Sequence, residues 1–237
     1  MPEAQTGSWM RDPKSRQDDI YVLKDNIKVN RVFQFKDEIQ LSRGNESAIF
    51  TMPFRCTGTG HVIYNGSLFC NKFASNRLMK FTLHGRRVRS RRLQRAKFNN
   101  TASYSSGANT DLDFAVDEVG LWVIFASEID IMIGRVDPDT LAVRQTWLTN
   151  IPKQKALNTF MICGRLYIVV KRDSHIIISH VFDTQTGNGR DVEIPLMTSS
   201  DYVIMLDYNP KDSKLYSWEM NNGWEGDLVL YDVYFKE

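Results

Sequence analysis

The chain has 237 residues, of which 42% are hydrophobic and 24% charged, so it can form one large or two small globular domains. It contains no apolar run of about 18 residues, which argues against a transmembrane helix. The net charge of +2 is uneven, because residues 77–97 hold nine of the 30 Lys and Arg residues and none of the 28 acids, so the remainder carries a net −7.

The N-terminus, MPEAQTGSWMRDPK, lacks the apolar core of a signal peptide. Either the protein is cytosolic, or the chain is an excised domain whose leader lies upstream, and we expect residues 1–8 to form a flexible end of such a fragment. Three N-x-S/T sequons occur in polar or turn contexts, at Asn45, Asn65 and Asn99. Together they favour a secreted glycoprotein.

Short runs of β-branched and aromatic residues recur along the chain, and helical periodicity is not sustained over three turns. Four segments are typical of a hairpin whose tight turn is followed by Leu and an aromatic residue: IYNGSLF (63–69), VDEVGLWVI (116–124), MICGRLYIV (161–169) and YNPKDSKLYSW (208–218). Hairpins with an Asp-led turn are predicted in IGRVDPDTLAVRQTW and SHVFDTQTGNGRDVEI. The polar segment 99–110 predicts a loop.

This repeat predicts an all-β fold. Gly66, Gly120 and Gly164 are 54 and 44 residues apart, and four short strands per roughly 45–50 residues are typical of a β-propeller blade. The length then corresponds to a single domain over 1–237, a five-bladed β-propeller closed by pairing of N- and C-terminal strands, with LVLYDVYF at the C-terminal side. A β-sandwich or two small barrels are the alternatives, but they give no reason for the repeat.

The segment DLDFAVDEVGLW (111–122) packs four acids into a stretch that otherwise reads as buried strand. Strand alternation places Asp111 and Asp113 on one face, while Asp117 and Glu118 fall in the turn, where we expect them to be solvated. Buried acids need a balancing partner. Asp111 and Asp113 therefore need an explanation.

Asn158 and Asp207 occupy the position of Asp113 in two other hairpins, on the strand that enters the turn. If the entering strands line a central channel, three oxygen side chains converge there. Calcium takes six to eight oxygen ligands, so this set suits calcium better than zinc, which prefers His or Cys. The alternative is that the acids hydrogen-bond only to backbone or water.

The same residues carry a family likeness. The chain resembles the olfactomedin domain over nearly its whole length, nearest the gliomedin or colmedin type, in the motifs GSWMRDP, GTGHVIYNGSLF, DLDFAVDEVGLWVIFAS, RVDPDTLAVRQTW, ALNTFMICGRLYIV, FDTQTG and LDYNPKDSKLYSWE. The resemblance implies a five-bladed propeller that is secreted or held on the extracellular face of a membrane-anchored protein. It also implies adhesion and signalling through a cell-surface receptor or matrix protein, as in synapse or neuromuscular junction organisation.

The resemblance further implies a structural calcium ion in the channel. Its ligands would be the side chains of Asp113, Asn158 and Asp207 with the backbone carbonyls of Thr159 and Leu206, and Asp113 would also touch an adjacent sodium ion. The full-length protein is expected to be oligomeric through segments outside this chain.

Three cysteines fit one disulfide plus one free thiol, or a fully reduced protein. Cys56 and Cys70 can pair only if the TGTG segment folds back, since the Asn65-Gly66 turn places Cys70 opposite His61. By the resemblance, Cys163 matches a family cysteine that usually pairs near the domain's N-terminus, and this chain holds no such partner.

Residues 77–97 form a basic stripe, which allows three interpretations. It is a solvated outer strand, a patch for a heparan-type polyanion, or a processing site, because RSRR (89–92) matches the R-x-K/R-R pattern of secretory convertases. Nucleic acid is not the expected partner of this stripe, because no groove-reading motif accompanies it and the remainder of the chain carries a net negative charge. The residues proposed to bind polyanion are Arg86, Arg87, Arg89, Arg91, Arg92 and Arg95.

No nucleophile elbow, HExxH, P-loop or dinucleotide fingerprint occurs, and we predict that the protein is not an enzyme. The alternative is a carbohydrate-binding or glycoside-hydrolysing propeller that uses the channel carboxylates.

Overall fold

The computed structural model describes residues 5–221 and 225–234. Antiparallel strands dominate it, with one short α-helix, α1 (Glu38–Arg43), and one 3-10 helix, Lys153–Lys155. No helix in the described ranges has the length and apolarity needed to cross a membrane. The strands are β1 (Gly7–Arg11), β2 (Ile20–Lys24), β3 (Ile27–Phe35), β4 (Ala48–Tyr64), β5 (Ser67–Lys72), β6 (Arg77–Thr82), β7 (Val88–Arg92), β8 (Asp113–Val116), β9 (Leu121–Ala126), β10 (Asp130–Val136), β11 (Val143–Pro152), β12 (Asn158–Ile162), β13 (Arg165–Arg172), β14 (His175–Asp183), β15 (Asn188–Leu196), β16 (Val203–Asn209), β17 (Lys214–Asn221) and β18 (Glu225–Asp232).

The strands form antiparallel sheets in chain order. β1 to β7 make a seven-stranded sheet, β8 to β11 and β12 to β15 make four-stranded sheets, and β16 to β18 make a three-stranded sheet. The four predicted Leu-aromatic hairpins are confirmed as β4–β5, β8–β9, β12–β13 and β16–β17. The two Asp-led turns connect β10 to β11 and β14 to β15, as the sequence predicts.

The core lies between the sheets. In each hairpin the Leu after the turn is buried. The aromatic residue that follows it lies on the opposite face of the strand. Phe69 of β5 lies 6.0 Å from Phe114 of β8, measured between ring centroids, so neighbouring sheets share side chains across their interface. This face-to-face packing removes apolar surface from water and supplies most of the folding free energy.

The first strand of each sheet and strand β4 lie together at the centre. β8 contacts both β4 and β12, β12 contacts β16, and β1 contacts β4 and β16, so these strands form a ring. The 17-residue strand β4 pairs with β3 through its first half and with β5 through its second half. Cys56 and Thr57 pair with both neighbours, and the register of β4 against β5 shifts between Thr57 and Val62.

The closure of the ring differs from the predicted strand pairing. Within the described ranges, β1 pairs with β2 and β18 pairs with β17. The N-terminal strand β1 and the C-terminal strand β18 are therefore not paired with each other. The two ends meet through side chains: the Trp9 indole donates a hydrogen bond to the Ser217 carbonyl at 2.9 Å and packs on the Tyr216 ring.

The expectation that residues 1–8 form a flexible end is wrong for its last two residues. Gly7 and Ser8 belong to β1, and the buried Ser8 hydroxyl lies 2.9 Å from Nδ1 of His61. Residues 1–4 lie outside the described ranges. Segment 99–110 is confirmed as a loop, although Tyr104 and Ala108 within it are buried.

Candidate functional site

Asp113 is the first residue of β8 and is buried at the centre of the ring. The backbone of β4 approaches it so closely that a Cβ on Gly60 would lie 2.1 Å from Asp113 Oδ1. Only glycine fits at position 60, within the register shift between Thr57 and Val62 of β4.

Tyr104, in the loop at 99–110, holds the Asp113 carboxylate. The Tyr104 hydroxyl donates to Asp113 Oδ2 at 2.8 Å and lies 2.6 Å from the Thr159 hydroxyl of β12. The loop at 99–110 therefore inserts a side chain between β8 and β12. Burial and the Asp113 charge raise the pKa of Tyr104, so its hydroxyl remains a donor.

Asp207 lies in β16, a central strand that contacts β8, and is buried like Asp113. Burial raises the pKa of both carboxyl groups, and the charge of Asp113 raises that of Asp207 further, while Lys153 opposes the shift at Asp113. Two buried carboxylates repel each other and bind a proton or a cation more readily than isolated ones. Leu206, the preceding residue of β16, is also buried and pairs with Ser217 of β17.

Asn158 and Thr159 begin β12 and are both buried. The Asn158 Oδ1 accepts a hydrogen bond from the Thr159 N–H at 2.7 Å, so in this conformation the amide oxygen faces its own backbone. Asp113 and Thr159 thus meet at the Tyr104 hydroxyl, Asn158 precedes Thr159 on β12, and Asp207 lies on β16, which contacts both β8 and β12. An Asn158 oxygen that bound an ion would exchange this local bond for it.

Sequence reasoning missed Lys153, a fully buried lysine in the 3-10 helix. Its ammonium donates to the carbonyls of Thr110 at 2.5 Å and Ala102 at 3.2 Å. Burial lowers its pKa, and the charges of Asp113 and Asp111 counteract that shift. The only sequence signal was a lysine in an unpatterned turn, IPKQK, which does not distinguish a buried ammonium from a solvated one.

The donor chemistry at the centre suits a hard cation. The described ranges contain no group of three or more His, Cys, Asp and Glu side chains placed for a metal, so the two carboxylates would need amide, carbonyl or water oxygens to complete a coordination shell. Calcium accepts that mixture, whereas zinc sites favour nitrogen and sulfur. The residues present therefore fit the predicted ion.

The other acids of segment 111–122 have structural partners. Both oxygens of the buried Asp111 accept backbone N–H bonds, from Asn100 and Ala102. The prediction that Asp117 is solvated is wrong. It is buried because its carboxylate accepts bonds from the Trp122 indole and, across to the β12–β13 turn, from the Gly164 N–H.

Glu118 is exposed, as the turn predicted, but it is not free of partners. Its carboxylate accepts bonds from the Tyr208 hydroxyl at 2.6 Å and the Cys163 N–H at 2.9 Å. Asp117 and Glu118 thus connect the β8–β9 turn to the β12–β13 turn and to β16.

The cysteines divide into a bonded pair and a free thiol. Cys56 and Cys70 form a disulfide, which is possible because the register break at Gly58 shifts β4 so that Cys56 faces Lys72 of β5 rather than a residue farther along. Cys163 is free and exposed in the β12–β13 turn. A disulfide is typical of proteins in oxidising compartments.

The remaining predicted surface residues lie at the surface. Asn45, Asn65 and Asn99 are all exposed, next to turns or helix ends. β7 carries VRSRR on the outer edge of the seven-stranded sheet, and each of its residues is exposed. The six arginines of the basic stripe are exposed as well: Arg86, Arg87, Arg89, Arg91, Arg92 and Arg95.

Sheets of antiparallel strands arranged around a ring of central strands, with polar groups at the centre, define a β-propeller domain. The chain belongs to the olfactomedin-like domain family, whose model matches residues 2–237.

Curated relatives and solved structures agree with this assignment. The chain is 34% identical to a myocilin of Canis lupus familiaris, over 96% of this chain and 48% of the relative. It is 33% identical to a myocilin of Rattus norvegicus, over 98% and 47%. It thus spans about half the length of these relatives. The β-propeller domain of Myceliophteria thermophila Cps50 (Swd1) superposes with a TM-score of 0.51 at 11% identity, covering 91% of this chain and 66% of that one, and so supports the fold alone.

Proposed function

We propose that the chain is an extracellular interaction module of the olfactomedin type, a five-bladed propeller that binds a cell-surface receptor or matrix protein. The blade count treats the seven-stranded sheet as two blades that share β4, each with four strands, followed by the sheets that begin with β8, β12 and β16. Adhesion and signalling at contacts such as synapses or neuromuscular junctions is the biological setting that we infer from the family likeness.

Extracellular location is supported by two independent features. The Cys56–Cys70 disulfide is characteristic of secreted proteins, and all three sequons lie where a glycosyltransferase can reach them. Mass spectrometry of protein secreted from eukaryotic cells tests this inference, since each occupied sequon carries a glycan mass that disappears on Asn→Gln substitution. Failure to enter the secretory pathway with a native or supplied leader contradicts it.

A calcium ion at the centre is the second part of the proposal. The side chains of Asp113, Asn158 and Asp207 and the backbone carbonyls of Thr159 and Leu206 would hold it, with sodium beside Asp113. One observation carries the inference: Asp113 and Asp207 are both buried on β8 and β16, two central strands that contact each other. The buried ammonium of Lys153 is engaged by two carbonyls, so a cation beside the two carboxylates would balance their remaining charge.

The ion would act in stability rather than in catalysis. Asp113 is held by Tyr104 and closed off by the β4 backbone at Gly60, so a sugar cannot approach it as it would approach a glycosidase acid. A ligand that binds only the folded state stabilises it by about 4 kcal/mol at 1,000 times its Kd. Calcium would thereby fix the relative positions of β8, β12 and β16.

Thermal unfolding with and without calcium tests this proposal. We expect calcium to raise the Tm above that in chelator by several degrees, and Asp207→Asn to remove most of that rise. Asp139→Asn, at an exposed carboxylate, is the matched control and should keep it. A wild-type Tm that is the same in calcium and chelator, together with no retained calcium in equilibrium dialysis, would overturn the calcium assignment.

The non-enzymatic role has its own test. Chromogenic glycosides incubated with the wild type and with Asp207→Asn should release no product above buffer. Hydrolysis that the wild type shows and the variant lacks would favour the glycosidase alternative.

A further inference from the structure

A continuous arginine surface lies on one edge of the molecule. We define it as Arg86, Arg87, Arg89, Arg91, Arg92 and Arg95, all of which are exposed. Three of them are in β7, the edge strand of the seven-stranded sheet. The surface is remote from the ring centre, because β6 and β5 separate β7 from β4.

The arginine surface has no acidic partners among the described residues. Basic residues elsewhere on the sheets are neutralised locally: Arg144 of β11 pairs with Asp137, and Arg165 and Arg172 of β13 pair with Asp183 and Glu193. None of the six arginines takes part in an ion pair of this kind in residues 5–221 and 225–234. Their positive potential is therefore available to an external anion.

The strand geometry arranges these charges in a line. Alternation along β7 places Arg89 and Arg91 on one face and Arg92 on the other. Side chains two residues apart on a strand are separated by roughly 7 Å. Across the ladder, Arg92 lies opposite Arg77, another exposed arginine of β6, which extends the positive surface inward. The guanidinium groups thus follow the sheet edge on both of its faces, and a linear chain of repeating negative charges can lie along that edge.

Protection of a sheet edge explains only part of this pattern. Charged side chains on an edge strand discourage pairing with other molecules. However, the equivalent edge strand β11 carries one arginine, Arg144, and β15 carries both signs, in Arg190, Asp191 and Glu193. Edge protection thus needs fewer charges than β7 has and does not require a single sign.

We propose that this surface binds a sulfated linear polysaccharide. Guanidinium groups form bidentate bonds with tetrahedral oxyanions. Sulfated polysaccharides occur outside the cell, which is the location proposed above for this chain, and the inference rests on that proposal. A membrane is a poorer fit because anionic lipid is concentrated on the cytoplasmic leaflet. Nucleic acid is poorer too, because β7 has no aromatic side chain for base stacking.

Heparin affinity chromatography and titration of a heparin oligosaccharide test the proposal. We expect wild-type protein to bind at about 0.15 M salt with an affinity that falls steeply as salt rises, because each guanidinium contact releases counterions. Arg89→Gln combined with Arg91→Gln and Arg92→Gln should weaken the affinity by roughly ten-fold or more. The matched control replaces Arg144, Arg165 and Arg172 by Gln, which removes the same charge from β11 and β13 and should leave binding within about two-fold of wild type.

Three outcomes would overturn the proposal. The first is no binding of wild-type protein to heparin near physiological salt, and the second is an equal loss in both triple variants, which would indicate a net-charge effect. The third is equal or tighter binding to duplex DNA or to phosphatidylserine vesicles, which would assign the surface to another polyanion. Unchanged Tm values for both variants exclude misfolding as the cause. The result is independent of calcium at the ring centre, so the two proposals can fail separately.

Discussion

The ammonium Nζ of Lys153 lies 3.6 Å from the centroid of the Tyr104 ring, whose hydroxyl in turn donates to Asp113. One buried lysine is thereby joined to the central carboxylates through an aromatic side chain. The ammonium is attracted by the face of the ring and satisfied by two carbonyls, which explains how it remains buried without a direct carboxylate partner.

Lys153→Met should therefore destabilise the domain, although it replaces a buried charged side chain with an apolar one. The substitution leaves the Ala102 and Thr110 carbonyls without a donor and removes a positive charge near Asp113, and we expect a loss of roughly 3–5 kcal/mol. Urea unfolding measures this change. Lys155→Met, two residues away and exposed, is the control and should change stability by less than about 0.5 kcal/mol. Similar values for the two variants would show that the buried ammonium contributes nothing.

Much of the fold could be predicted because its hairpins are local. Each turn is specified by residues adjacent in sequence, and Leu68, Leu121, Leu166 and Leu215 mark the inner face of the strand that follows. Helix α1 was missed because it is short, although Asp37 caps its first turn and Gly44 ends it in the left-handed region.

The centre could be predicted only in part. Asp113 and Asp207 stood out because acids within apolar strands are unusual. Lys153 and Tyr104 did not, because their burial depends on contacts about 50 residues apart in sequence, such as Lys153 with Ala102. Asp117 was misassigned for the same reason, since its buried partner is the Gly164 N–H of another hairpin.

The disulfide should contribute measurably to stability. Cys56 and Cys70 are 14 residues apart, and closing a loop of about 15 residues stabilises a protein by about 3 kcal/mol. We expect Cys56→Ala with Cys70→Ala to lower the unfolding free energy by at least that amount, measured in guanidinium chloride. Cys163→Ala removes the exposed free thiol and should have little effect. A stable, unchanged double variant would contradict a structural role for the bond.

Glu118 should make stability depend on pH. Burial tends to raise its pKa, but hydrogen bonds from Tyr208 and Cys163 outweigh that effect and lower it. Because the folded pKa lies below the ordinary value of about 4.3, this contribution is present above that pH and is lost as the pH falls through the folded pKa.

The Tm difference between wild type and Glu118→Gln should accordingly be larger at pH 7 than at pH 3. We expect a difference of roughly 1–4 °C at pH 7, given solvent screening at this exposed site. In a Tyr208→Phe background the difference should shrink, since the hydroxyl donor is gone. A difference that is equal at both pH values would rule out ionisation of Glu118 as its source.

The RSRR segment should resist proprotein convertase in the folded protein. The bond that would be cut joins Arg92 to Leu93, and Leu93 is buried while its N–H donates to the Asn76 carbonyl at 2.9 Å. A convertase must withdraw both residues from these contacts, and Arg92 also from its pairing with Arg77. We expect the native domain to remain intact on gels, while a peptide of residues 86–97 is cut under the same conditions. Cleavage of the protein should begin only as it unfolds. Rapid native cleavage after Arg92 would instead identify β7 as a processing site that opens locally.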